Sequence, residues 1–257
     1  TIEDVQRYLE HISQPRPDGT VAKPKTVHDV MVGLSTVYNA AISARKLSDN
    51  PITPCIPAKA PRGHVSTERK NYTPEETGTL LRAARGQTDP WLRWGPWLLA
   101  YSGMRVQEAG QLRRQDIEID EGGRAFIHIR PEAGHTKSGT SRLVPVHKAL
   151  EAEGFLEFVR CVNTERLFPK ECLSKDGLRK TKSGGWADWG LKSLGAWVRS
   201  LRIIPVSVDP NHGLRHGFRH TALRARLMPF AVNRIAGWKE RGSEAAYGEG
   251  EHRDLLV

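Results

Sequence analysis

Cysteine is scarce in this sequence, with three residues, Cys55, Cys161 and Cys172, among 257. The number is odd and no C-x-x-C pair occurs, so neither a disulfide framework nor a zinc-ribbon site is supported, and the three are read as reduced thiols without a catalytic role. Long apolar runs are missing as well. Nothing approaches the roughly 18–20 residues that a spanning helix requires, and the start at Thr1 shows no basic-then-apolar signal segment, so a cytoplasmic protein with no membrane partner is expected. The chain contains no G-x-x-x-x-G-K-[ST] loop, which leaves nucleotide hydrolysis without support. Acidic residues are in deficit. Lys and Arg number 39 against 29 Asp and Glu, a net charge of +10, which points to a polyanionic partner.

What is present suits one large or two smaller domains, since 38% of the residues are hydrophobic. Helical periodicity is expected over residues 2–12 and again over 26–46, where Val27, Val30, Leu34, Val37, Ala41 and Ile42 would share a buried face. Pro51, Pro54, Pro57 and Pro61 then interrupt regular structure. The expected organisation is a small helical module over 1–62, a linker over 63–71 and a larger domain over 72–257. The abrupt opening at Thr1 leads us to expect a longer parent chain. The larger domain opens on the helix-start signal Thr73-Pro74-Glu75-Glu76. Trp91, Trp94 and Trp97 follow at helix spacing and are assigned to the core. Three short strand candidates, 116–119, 125–129 and 142–146, are joined by EGG and a Gly-rich turn. Helical patches at 147–159, 187–201 and 213–227 complete a mainly α fold carrying one small antiparallel sheet.

Several residues carry chemistry worth following. Arg105, in YSGMRVQEAGQL, sits just after a Gly and at the head of a short amphipathic helix, with Glu108 three residues on. The pair reads either as an exposed ion pair worth a few tenths of a kcal/mol or as an anion clamp at a helix start. Thr-Lys-Ser-Gly occurs twice. Lys137, in the turn between two strand candidates, is preferred over Lys182 as a phosphate contact, because a hairpin presents a side chain with more precision than a loose Gly-Gly loop. NHGLRHGFRHT holds two overlapping His-x-x-Arg-His registers, His212/Arg215/His216 and His216/Arg219/His220. The histidines stand four apart as metal ligands might, yet no Glu completes H-E-x-x-H and Arg215 and Arg219 would repel a cation, so phosphate is the better match and no metal is expected. Tyr247 lies in the Gly-flanked segment GWKERGSEAAYGEG; a lone Tyr is usually a packing residue, and its phenol becomes a nucleophile only where cations stabilise the phenolate and the phosphate it attacks.

In this order the pieces resemble the tyrosine recombinases, the phage-type integrase family, across essentially the whole chain. The resemblance rests on Arg105 with Glu108, Lys137 in HTKSGTSRLVPV, His212 with Arg215, Trp238 in AGW, and Tyr247. The family's intervals select the first His-x-x-Arg register, because Trp238 lies 23 residues after Arg215 and nine before Tyr247, whereas Arg219 would leave 19. Trp238 stands where His is commoner in the family; it offers an indole N–H but no acid or base. The resemblance implies strand exchange on double-stranded DNA through a covalent 3'-phosphotyrosine, with no cofactor, in a homotetramer assembled on DNA inside a bacterial cell or the host cell of a phage. Arg105 and Arg215 would hold the phosphate, Tyr247 attack it and Lys137 protonate the leaving oxygen. His212 and Trp238 would orient the reactants, with Glu108 and His216 supporting the arginines. Residues 1–62 would act as a DNA clamp, and the tail after Tyr247 would dock on a neighbouring subunit, the alternatives being docking in cis or a disordered end. The alternatives are a relaxing enzyme of the type IB kind and a DNA-binding regulator that does not cut.

Overall fold

A computed structural model describes residues 1–58, 69–134, 140–169 and 188–238. The chain divides into two compact units, Thr1–Thr67 and Glu68–Val257.

The first unit is helical. Helix α1 (Ile2–Ser13) begins with a capping box in which the Thr1 hydroxyl accepts from the Asp4 amide while the Asp4 carboxylate accepts from the chain start. Helix α2 (Pro24–Ser43) opens on Pro24, whose fixed φ suits a first turn. Its buried face is Val27, Met31 and Ser35, with Leu34 and Tyr38 packed beside it. The face expected from periodicity is therefore rotated: Val30 is exposed and Val37 is 65% exposed, because Met31 fills the space next to Val5 and Ile52. Asn50 ties the segment after α2 to its side. The Asn50 amide donates to the Ser35 carbonyl at 3.1 Å and to Asn39 Oδ1 at 2.7 Å, and Asn50 Oδ1 accepts from the Ile52 amide at 3.0 Å.

The second unit is built around α4 (Pro90–Ser102), which follows α3 (Pro74–Arg85). Asp89 caps α4 by accepting from the amides of Trp91 and Leu92. Trp91, Trp94 and Trp97 are all buried, as their spacing predicts. Trp91 meets Phe168 and Trp94 meets Phe155 edge to face, and Trp91 Nε1 donates to the Gly190 carbonyl at 2.8 Å. A turn then leads to α5 (Val106–Gly110). Strands β1 (Ile117–Ile119), β2 (Ala125–Ile129) and β3 (Arg142–Pro145) form one antiparallel sheet in the order β1-β2-β3, with Ile127 opposite Ile117 and Val144. The fold is thus mainly α with one small antiparallel sheet. The single helix expected over 147–159 is two, α6 (Lys148–Ala152) and α7 (Phe155–Cys161), because Gly154 adopts φ +90 between them, outside helical geometry. Three further helices are described: α8 (Asp188–Ser200), α9 (His212–Arg224) and α10 (Pro229–Ala236). Cys55 and Cys161 are free thiols, and Cys172 lies outside the described residues. Among the described residues no helix is long and apolar enough to cross a membrane.

Candidate active site

Four pieces of chain meet at the site: the turn from α4 into α5, the start of β3, the first turns of α9 and the end of α10. Gly103 closes α4 with φ +61, and a Cβ there would stand 2.3 Å from Phe218 of α9. Only glycine fits this close approach, which brings the Gly103 carbonyl to the Arg215 guanidinium as a hydrogen-bond acceptor. At the start of α9, Asp209 Oδ1 accepts from the amides of Asn211 and His212 at 3.0 and 2.5 Å, satisfying helix-start donors.

Glu108 ties three of these pieces together. It is 1% exposed and takes hydrogen bonds from the Arg105 amide (2.8 Å), Arg105 Nη1 (2.9 Å), Arg142 Nη1 (3.1 Å) and Arg142 Nη2 (2.6 Å). Burial by itself would raise the pKa of this carboxyl, but the Arg142 hydrogen bonds and charge, joined by the Arg105 amide and guanidinium, outweigh it and hold the pKa below the usual carboxylate range. The two arginines also reach α10: Arg142 Nε donates to the Ile235 carbonyl at 2.9 Å and Arg105 Nη2 to the Gly237 carbonyl at 3.3 Å. Gly237 has φ +66, and a Cβ there would come within 2.9 Å of the Arg142 guanidinium carbon.

Arg215 approaches the same corner from α9. It is 2% exposed, and its guanidinium carbon lies 4.6 Å from the centroid of the Trp238 ring. Its Nη2 is buried and, among the described residues, has no hydrogen-bond partner. Burial, and then the charge of Arg105, bring its pKa down to about 9, so it is still a cation at neutral pH but a poorly compensated one. Arg105 and Arg142 thus pair with the carboxylate of Glu108, while Arg215 is bonded to the Gly103 carbonyl and feels that carboxylate only as a nearby charge. Buried positive charge in such excess, with a guanidinium donor aimed at no acceptor, makes a site suited to an anion.

His212 and His216 stand at the rim on the exposed side of α9, their rings edge to face at 4.6 Å. Both have pKa values lowered by partial burial first. The charges of His216 and Arg215 add to this at His212, and those of Arg215, Lys70 and Arg219 at His216, against the opposing carboxylate of Asp209. A histidine whose folded pKa is depressed contributes stability that is present above its unfolded value of about 6.5 and fades as the pH falls toward the folded value. Thermal stability should therefore decline as pH drops below about 6.5, and a His212→Gln/His216→Gln double variant should show a shallower decline in melts taken across that window.

No protein-family model matches the sequence, and no curated protein matches it. Solved structures do. The Tn1549 transposon integrase in complex with circular intermediate DNA aligns over 96% of this chain and 83% of its own, with a TM-score of 0.56 and 16% identity. A lambda integrase dimer bound to a COC' core site aligns over 95% and 83%, with a TM-score of 0.60 and 17% identity. The fold is that of these integrases. XerH site-specific recombinase bound to difH has the same recombinase fold, with a TM-score of 0.57 over 99% of this chain and 68% of its own at 15% identity.

Within this recombinase fold, Arg105, Arg215 and Trp238 converge on one corner, with Glu108 beneath them and His212 and His216 at the edge. Lys137 and Tyr247 lie outside the described residues, as do Lys182 and the tail. The Arg105–Glu108 pair is not an exposed helix-surface contact, because Glu108 is enclosed by Arg142. Arg142 itself was not singled out from the sequence. It is an ordinary cation at the start of a strand until the fold brings β3 to the end of α10, and no spacing in the chain announces that meeting.

Proposed function

We propose that this chain is a site-specific DNA recombinase that cuts and rejoins strands through a covalent 3'-phosphotyrosine. The observation that carries the reading is the pair of guanidiniums on one buried carboxylate with a third, that of Arg215, buried nearby and its Nη2 left to donate to an incoming anion. Arg105 and Arg215 hold the non-bridging oxygens of the scissile phosphate and offset the charge that builds in the transition state. Tyr247 Oη attacks phosphorus; the new P–O bond forms as the bond to the 5'-oxygen breaks, and Lys137 gives that oxygen its proton. His212 takes the tyrosine proton. Its depressed pKa keeps it neutral and so able to accept at physiological pH. Trp238 orients the phosphate and the nucleophile, while Glu108 and His216 support the arginines. The bond energy stays in the protein–DNA link, so the reaction needs neither metal nor ATP.

Double-stranded DNA is the partner, held by both units, with residues 1–62 acting as the clamp and 72–257 as the catalytic domain. The net charge of +10 supports this, as does the DNA present in the Tn1549 integrase, lambda integrase and XerH structures. A lambda integrase tetramer bound to a Holliday junction supports a homotetramer as the working assembly. The site of action is then the cytoplasm of a bacterial or phage-infected cell. The test is incubation of the full chain with nicked duplexes that trap the covalent stage, run on a denaturing gel. A protein-linked DNA band is expected; its absence with a panel of candidate target sites would overturn the reading.

A further inference from the structure

The Trp238 ring receives two cations. Arg215 lies 4.6 Å from its centroid and Arg219, one helical turn further along α9, lies 5.3 Å from it. The two differ in what else holds them. Arg215 is buried and bonded to the Gly103 carbonyl, whereas Arg219 is exposed and, among the described residues, the Trp238 ring is its one holder, without a carboxylate or carbonyl partner. For the free protein this is a poor arrangement. Like charges four apart on a helix repel by a few tenths of a kcal/mol, and an exposed cation–π contact returns only about 0.5–1 kcal/mol. The arrangement becomes favourable when a polyanion lies along the helix. A guanidinium stacked on an aromatic face keeps its N–H edge free and its rotamer restricted, which suits a planar contact to phosphate oxygens.

We propose that Arg219 is a further phosphate-positioning residue, held by Trp238, that takes a backbone phosphate beside the one received by Arg215. Trp238 then has a second task, as the platform that sets two guanidiniums one helical turn apart. This inference rests on the recombinase reading and extends it along α9, toward a phosphate flanking the cleaved one.

The experiment is a titration of a duplex of generic sequence with the full chain at several salt concentrations, for the wild type, Arg219→Gln and Arg219→Lys. Each phosphate contact contributes about 0.9 to the slope of log affinity against log salt. Arg219→Gln should reduce the slope by about 0.9, weaken binding roughly eight-fold near 0.1 M salt, and leave the melting temperature unchanged or slightly raised. Arg219→Lys should keep the slope, since the charge is retained. In a Trp238→Leu background the effect of Arg219→Gln should shrink, because the platform is gone. An unchanged slope in Arg219→Gln overturns the proposal, and an undiminished effect without Trp238 overturns the platform role. Failure of the recombinase reading looks different: the wild type itself would form no covalent adduct on nicked DNA.

Discussion

Replacing Tyr247 with phenylalanine should abolish the covalent protein–DNA band while leaving DNA binding within about two-fold of wild type and the fold intact. The substitution removes one oxygen. Without it no phosphate ester to the side chain forms, however well the arginines hold the DNA, so the loss is complete rather than graded. On the proposed reading binding would survive, because it would depend on Lys and Arg contacts that the change does not touch. The other tyrosines are poor substitutes. Tyr72 is buried and donates to the Pro210 carbonyl at 2.7 Å, and burial raises its pKa well above the ordinary phenol value. Tyr101 is stacked between Trp97 and His147. Tyr8 and Tyr38 belong to the N-terminal unit. A persisting adduct in Tyr247→Phe, measured on the same denaturing gel, would move the nucleophile elsewhere.

Glu108→Ala should be the most destabilising of the single changes at the site. It strands two guanidiniums, one of them on an almost fully enclosed Arg142, and breaking a buried pair by removing one partner costs about 3–5 kcal/mol. For a domain of this size that corresponds to a fall in melting temperature on the order of 10 °C. Glu108→Gln keeps the shape and an acceptor oxygen and should lose less. The pH dependence identifies the cause. Because the carboxyl pKa is depressed in the folded state, its contribution is fully present above the unfolded value of about 4.3 and is lost as the pH falls through the folded value. Denaturant unfolding of Glu108→Ala should therefore lack the part of the wild-type acid sensitivity that lies in that window. Equal stability of wild type and Glu108→Ala at neutral pH would mean that the carboxylate does not hold the site together.

The sequence by itself determined many of the local elements and put forward the residues proposed for the site. Pro74 and the cap at Thr73 begin a helix through groups a few residues apart, so their effect is legible without the rest of the chain. The three tryptophans declared a buried helix in the same way, and the order of Arg105, His212, Arg215 and Trp238 pointed to phosphate chemistry. Periodicity was weaker where a helix has apolar residues on more than one side. On α2 it chose Val30 and Val37 over Met31, because only the packing of Val5 and Ile52 decides which stripe is enclosed. The tertiary structure alone decided that Glu108 is buried, that Arg142 completes its hydrogen bonds from 34 residues away, and that Trp238 carries both Arg215 and Arg219. Each of these depends on charges or rings whose separation in space is set by the docking of β3, α9 and α10. Coulomb energy and desolvation follow that distance and that burial, and neither is encoded in the spacing of residues along the chain.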